Sequence, residues 1–261
     1  MPTLEVPHGA ALDYEITGDA GPLVVQLHGL TSSRDRDAQL GLDLARSLRG
    51  HRVLRYDARG HGGSTGDLDP RSYQWNRLAK DLLALLDHVA PGEPVHAVGP
   101  SMGSATLLHA AKKHPERFAS LTLVVPPTAW ETRSAQTQLY RANAALIEKE
   151  GLGVFHANHT APVPPALSDA PSTTPTVPED LLPTVLRGAA STDFPSEKAV
   201  SRITTPTLIL AWTGDAAHPV STAKRLKKLL PDARLVIART PYGIMAWPGL
   251  FAEHVTTTDP R

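Results

Sequence analysis

Between Val95 and Ser104 the chain reads Val-His-Ala-Val-Gly-Pro-Ser-Met-Gly-Ser, and no other stretch restricts the possible folds so severely. An apolar run, Val95 to Val98, stops at Gly99-Pro100-Ser101-Met102-Gly103, and a helix-competent segment follows from Ala105 to Lys113. The pattern is that of a strand, a tight turn and a helix with G-x-S-x-G at the bend. The chemistry accounts for the spacing. A serine on so sharp a turn sits in a strained backbone conformation, and its neighbours two residues either side must be small so that strand and helix approach closely. In return, a hydroxyl stands at a helix N-terminus, where backbone N–H groups favour developing negative charge.

The surroundings of this turn alternate between two periods. Ala11 to Thr17 alternates apolar and polar residues, as a half-buried edge strand does, and Leu23 to Leu27 is a continuous apolar run of the kind covered on both faces. A helical pattern over Asp37 to Leu48 leads to a strand at Arg52 to Tyr56. Trp75 to Val89 carries Leu78, Leu82, Leu85 and Leu86 on one stripe. After the Ser101 helix come a strand at Leu121 to Val125, then, much later, a strand at Thr207 to Ala211, a helix at Ser221 to Leu230, a strand at Arg234 to Ala238 and a last helix from about Pro248. Strands alternating with helices of this length predict an α/β fold with a mostly parallel central sheet. The rhythm breaks between Pro126 and Val200. Thr128 to Glu150 has helical potential, whereas Pro162 to Pro183 is dense in proline, serine and threonine, as expected of a cap or a loop over a site.

Composition serves mainly to exclude. The 261 residues carry a formal net charge of zero with the basic residues dispersed, so no nucleic-acid or anionic-membrane footprint is expected. The absence of cysteine removes a thiolate nucleophile, a disulfide framework and cysteine-based zinc sites. No apolar run nears the roughly 20 residues needed to span a bilayer, and the N-terminus has no leader-like pattern. A soluble, cytoplasmic protein acting on a small molecule is the expectation. Neither cofactor nor metal has a fingerprint: Gly60 to Gly63 lacks the Lys-Ser/Thr pair of a phosphate loop.

Five features in order resemble the α/β-hydrolase superfamily. They are Leu27-His28-Gly29 after a strand, Asp57-x-Arg59-Gly60-His61-Gly62-x-Ser64, the Gly99 to Gly103 turn, His114-Pro115-Glu116-Arg117 before a strand, and Gly214-Asp215-x-x-His218-Pro219 after a late strand. The resemblance implies a core of residues 1–127 and 201–261 with a cap at 128–200. It makes Ser101 the nucleophile, the backbone N–H groups of Leu30 and Met102 the oxyanion hole, and Asp215 the acid that orients the base. Glu131 is the alternative acid, and His28 and His61 brace loops. A serine at the bend argues against the dehalogenase and epoxide-hydrolase branches.

One element of that family's pattern is missing. The loop after the last strand, where the superfamily keeps its catalytic histidine, reads Ala238-Arg239-Thr240-Pro241-Tyr242-Gly243-Ile244-Met245-Ala246-Trp247-Pro248 and holds none. A serine hydroxyl is a poor nucleophile until a base takes its proton. His218, three residues after Asp215, is the first substitute; His156, His159 and His254 are others. Trp130, Trp212 and Tyr242 are expected to line the substrate cavity. The preferred expectation is a serine-dependent hydrolase of a small ester, lactone or thioester with a relocated base. A non-hydrolytic lyase, cyclase or isomerase on the same scaffold, or a silent ligand-binding protein, stands beside it on the strength of the missing histidine.

Overall fold

The computed structural model describes residues 2–7, 9–158, 163–171 and 173–259. Its strands are β1 (Thr3–Val6), β2 (Ala10–Thr17), β3 (Leu23–Gln26), β4 (Arg52–Tyr56), β5 (Val95–Pro100), β6 (Phe118–Val124), β7 (Thr207–Trp212) and β8 (Ala233–Ala238). The helices are α1 (Arg34–Gln39), α2 (Trp75–Val89), α3 (Met102–Ala111), α4 (Arg133–Asn158), α5 (Leu182–Ala190), α6 (Glu197–Val200), α7 (Val220–Leu229), α8 (Pro241–Met245) and α9 (Trp247–Thr258). One sheet runs in the order β1-β2-β4-β3-β5-β6-β7-β8. Only the β1–β2 and β2–β4 pairings are antiparallel; from β4 to β8 every neighbour is parallel.

The apolar runs are explained by what covers them. Adjacent strand residues face opposite sides of the sheet, so Val25, Ala97 and Ile209 enter one apolar cluster while Val24, Val98 and Leu208 enter another. The first cluster is closed by Leu78, Leu82, Leu85 and Leu86 of α2, Leu107 and Leu108 of α3, and Leu226 of α7. The second is closed by Trp247, Phe251 and Val255 of α9 together with Leu44. Each such fully buried aliphatic side chain contributes about 1.5–3 kcal/mol. With both faces covered, the central strands β3, β5 and β7 are buried along their whole length, and the alternation of apolar and polar residues is kept in β2.

Three local expectations are corrected. The Ala11 to Thr17 strand is not an edge, because β1 folds back on it through Gly9 (φ 75°) and takes the outer place. The helix expected over Asp37 to Leu48 is interrupted: α1 ends at Gln39, Gly41 adopts φ 73°, and a short 3₁₀ turn at Leu44–Ser47 follows. Helical structure also starts later and runs longer than the expected Thr128 to Glu150, with Gly151 (φ 83°) breaking α4. The helix α5 carried no recognised signal, yet Leu182, Val185 and Leu186 are buried against Ala144 and Ile147 of α4 and against Tyr73.

The topology fixes where a site can form. From β3 the chain goes to β4 on one side of the sheet and later returns to β5 on the other. At such a switch point the connections leave in opposite directions, and a crevice opens at the carboxyl ends of the strands. The residues beyond β3 and β5 are Leu27–Ser33 and Ser101.

Candidate active site

Ser101 stands between β5 and α3 at φ 50° and ψ −110°, a conformation that costs about 1–3 kcal/mol for a residue with a side chain. The surroundings hold it there. Its N–H donates to Val124 O (2.9 Å), and Ser104 Oγ donates to Gly99 O (2.7 Å), tying the first turn of α3 back to the strand. Both glycines are sterically required. A Cβ on Gly99 would lie 2.8 Å from the carbonyl carbon of Gly103, and one on Gly103 would lie 3.0 Å from Leu27 Cβ.

The segment after β7 brings the titratable groups. Asp215 Oδ1 accepts the N–H groups of Ala217 (2.9 Å) and His218 (3.2 Å), a tight turn that folds His218 back over its own carboxylate. His218 Nδ1–H then donates to Asp215 Oδ2 at 2.7 Å, because an ionised carboxylate only accepts. That leaves Nε2 with a lone pair facing the Ser101 hydroxyl, which it accepts at 2.8 Å. The turn is fixed against the core by Thr128 N–H donating to Ala217 O (2.9 Å). Burial alone raises the Asp215 carboxyl, but the His218 hydrogen bond and charge, the Trp212 indole and the Ala217 N–H outweigh it and hold the group at about 2.

Opposite this array lies the loop after β3. The Gly29 α-carbon faces the nucleophile: a Cβ there would rest in ordinary contact, 3.8 Å from Ser101 Cβ. His28 Nδ1–H donates to Gly29 O (2.8 Å) and its Nε2 accepts Ala58 N–H (2.8 Å); His61 Nδ1–H donates to Arg59 O (2.8 Å) and its Nε2 accepts Thr31 N–H (3.3 Å). Burial pushes His28 down to about 4 and His61 to about 3, so both stay neutral and brace loops. Among the described residues neither Leu30 N–H nor Met102 N–H is spent on another acceptor. Thr176 bridges this loop to the next one: its N–H donates to Thr31 O and its carbonyl accepts Gly62 N–H, both at 3.0 Å.

The structure thus brings Ser101, His218 and Asp215 together and leaves Glu131 and His254 apart from them. Glu131 is exposed in a 3₁₀ turn and has no bond to His218. His254 Nε2–H donates to Leu121 O (3.2 Å) within the fold. The His156 side chain and all of His159 lie outside the described residues. The three residues expected to line the cavity differ in exposure and in what their polar atoms hold. Trp212 is 4% exposed, stacks on Trp247, sets its ring edge-on to His218, and gives its indole N–H to Asp215 Oδ2 (2.8 Å), so it supports the acid. Tyr242 is 81% exposed on α8. Trp130 is half-buried with its indole N–H committed to Pro195 O (3.0 Å) and its ring set edge-on to Phe194. Sequence reasoning missed the Trp212 hydrogen bond, which joins a strand end to the turn three residues on, because an indole at the end of an apolar run reads as core.

Among the described residues no cluster of three or more histidine or acidic side chains is arranged to hold a metal, and no helix is long and apolar enough to cross a membrane. A family model for the alpha/beta hydrolase fold matches residues 22–150. Over 231 residues the chain is 31% identical to "Putative carbamate hydrolase RutD" of Pseudomonas savastanoi pv. phaseolicola, which spans 83% of this chain and 84% of that protein. It is 30% identical over 177 residues to "3-oxoadipate enol-lactonase 2" of Acinetobacter baylyi, covering 65% and 62% of the two. A solved thermophilic esterase from Thermogutta terrifontis shares its fold over the full length of both chains, with a TM-score of 0.77 at 21% identity.

Proposed function

The chain belongs to the α/β-hydrolase family and is an α/β-hydrolase-fold hydrolase; from that premise we propose that it cleaves a small ester, lactone or thioester through an acyl-enzyme on Ser101, with His218 as base and Asp215 as its orienting acid. The observation that carries this reading is the unbroken chain of hydrogen bonds from Ser101 Oγ through both ring nitrogens of His218 to Asp215. The position left without a histidine after β8 motivated the non-hydrolytic and silent-receptor readings. A base already within reach of Ser101 removes that motive. The names of the relatives, a carbamate hydrolase and an enol-lactonase, both describe cleavage at an acyl carbon.

In this mechanism Ser101 Oγ bonds to the substrate carbonyl carbon while its proton passes to His218 Nε2. The new imidazolium is stabilised by Asp215, whose low pKa keeps it an anion throughout. The carbonyl electron pair moves to oxygen, and that oxyanion is received by the N–H groups of Leu30 and Met102, the latter at the first residue of α3. The imidazolium returns the proton to the leaving oxygen, nitrogen or sulfur as the bond to it breaks. Water then repeats the sequence on the acyl-enzyme, restoring Ser101. Residues 128–200 act as the cap that covers the crevice and selects the substrate; the contact of Thr176 with both site loops supports that role.

The test uses short p-nitrophenyl esters, a simple lactone and an aryl carbamate, together with a fluorophosphonate probe. Turnover that disappears in Ser101→Ala, with the probe recovered on the Ser101 peptide by mass spectrometry, is the expected result. No turnover on any substrate and no label would reject the proposal.

A further inference from the structure

Under the loop that presents the Leu30 N–H lies a carboxyl group that the mechanism does not use. Asp37, in α1, is 3% exposed. Its Oδ1 accepts the Ser32 hydroxyl at 2.5 Å, while its Oδ2 is buried with no hydrogen-bond partner. Ser32 is itself buried and works at both ends: its N–H donates to Gly29 O (3.1 Å), closing the turn, and its hydroxyl tethers that turn to α1. In a trans peptide the carbonyl and the following N–H point in opposite directions. Fixing Gly29 O therefore aims the Leu30 N–H. The turn is under strain, with Thr31 at φ 61°, so it depends on such tethers to keep its shape.

Resting on the serine-hydrolase reading above, we propose that Asp37 is a positioning residue for the anion pocket, acting through Ser32, and that turnover carries the ionisation of this group although substrate never touches it. Burial pushes the carboxyl up to about 7. The Ser32 hydroxyl, the charge of Arg36 and the Gly29 N–H oppose that rise, and the Asp43 carboxylate adds to it. Asp43 is in turn paired with Arg55 (3.1 Å), and Arg36 is turned toward Thr31 O (2.9 Å) and Thr173 Oγ1 (2.8 Å), so neither supplies Asp37 with a contact counter-charge. As a neutral acid, Asp37 gives its own proton to Ser32 Oγ across the same contact, since Oδ2 has no partner, and that one bond holds the turn. Once ionised, it is a buried charge with an empty oxygen, and it draws the Ser32 hydroxyl and the Gly29 N–H toward itself. That turns the Gly29 backbone, and with it the Leu30 N–H in the next peptide, away from the angle the oxyanion requires.

The decisive comparison is kcat and KM for one short ester between pH 5.5 and 9 in the wild type, Asp37→Asn and Ser32→Ala, with fluorophosphonate labelling of Ser101 run alongside. Asparagine keeps the shape and cannot ionise. The ratio of kcat in Asp37→Asn to kcat in the wild type is expected to rise about tenfold between pH 6 and 8.5 with KM little changed, as for an interaction made only in the transition state. Ser32→Ala is expected to lower kcat about 10- to 100-fold at all pH values and to abolish the wild-type ionisation near 7. A flat Asp37→Asn ratio, or a Ser32→Ala effect confined to KM, overturns the inference while leaving the serine mechanism intact. If Asp37→Asn does not fold, the Ser32→Ala profile decides alone. Absence of both turnover and label in the wild type would instead defeat the serine-hydrolase reading, and this inference with it.

Discussion

A single imidazole joins the two halves of the chemistry, and it is held by very short-range structure. Asp215 and His218 are three residues apart and share one turn, so the acid that orients the base also builds the loop on which the base stands. This predicts unequal losses. His218→Ala removes the proton acceptor, and kcat is expected to fall roughly 10⁴–10⁶-fold. Asp215→Asn leaves a ring of the same size free to take the other tautomer, with an expected loss of about 10⁴-fold. Steady-state kinetics on one ester, with circular dichroism to check folding, measures both. The carboxyl at about 2 stays ionised over the working range, so a loss of activity on acidification to pH 5 does not report on Asp215.

At the scale of elements, the unit that matters is β5, the bend at Ser101 and α3. Strand and helix meet where Gly99 and Gly103 lie against each other, and α3 presents its first N–H groups to the crevice only because they come so close. Gly99→Ala places a methyl 2.8 Å from backbone that has no room to yield. It is expected to lower stability by about 1–3 kcal/mol and to slow probe labelling of Ser101 even in the folded fraction, since the helix must tilt away from the strand. Thermal melts and labelling rates separate the two effects. A substitution of the exposed Gly153, where an added Cβ meets nothing within 4 Å, serves as the control.

The whole molecule stores several histidines in neutral form. Burial lowers His28, His61, His96, His109 and His254 below their ordinary value of 6.5, with Asp259 pulling His96 back toward it. A base whose folded pKa is depressed binds fewer protons than its unfolded counterpart below 6.5. Folding stability is therefore full above about pH 6.5 and is lost as the pH falls. Each such group adds about 1.4 kcal/mol per pH unit to the slope within its own window. Asp37 opposes this, because its raised pKa makes the folded state the better proton binder between about 4 and 7. Five groups outweigh one, so the urea midpoint is expected to drop steeply from pH 6.5 to 4. A midpoint independent of pH over that range would contradict the buried, neutral state of these rings.

The order of strands and helices, the residues that fill both faces of the sheet, and the bend at Ser101 were all legible along the chain. Each follows from contacts between near neighbours or from a periodicity that repeats within ten or fifteen residues. The strand β1, the helix α5 and the break after Gln39 were not, because short segments gain their order from what packs on them: β2 for the first, α4 and Tyr73 for the second. The composition of the site divides the same way. Asp215 and His218 stood in one six-residue stretch, and their spacing made His218 the first substitute to consider. Only the folded chain decided that this imidazole meets a hydroxyl 117 positions earlier, that the Trp212 indole supports Asp215, and that Asp37 sits beneath the Gly29–Ser32 turn. Such relations depend on the carboxyl ends of β3, β5 and β7 arriving at one crevice, and strand order in a parallel sheet is a property of the assembled core.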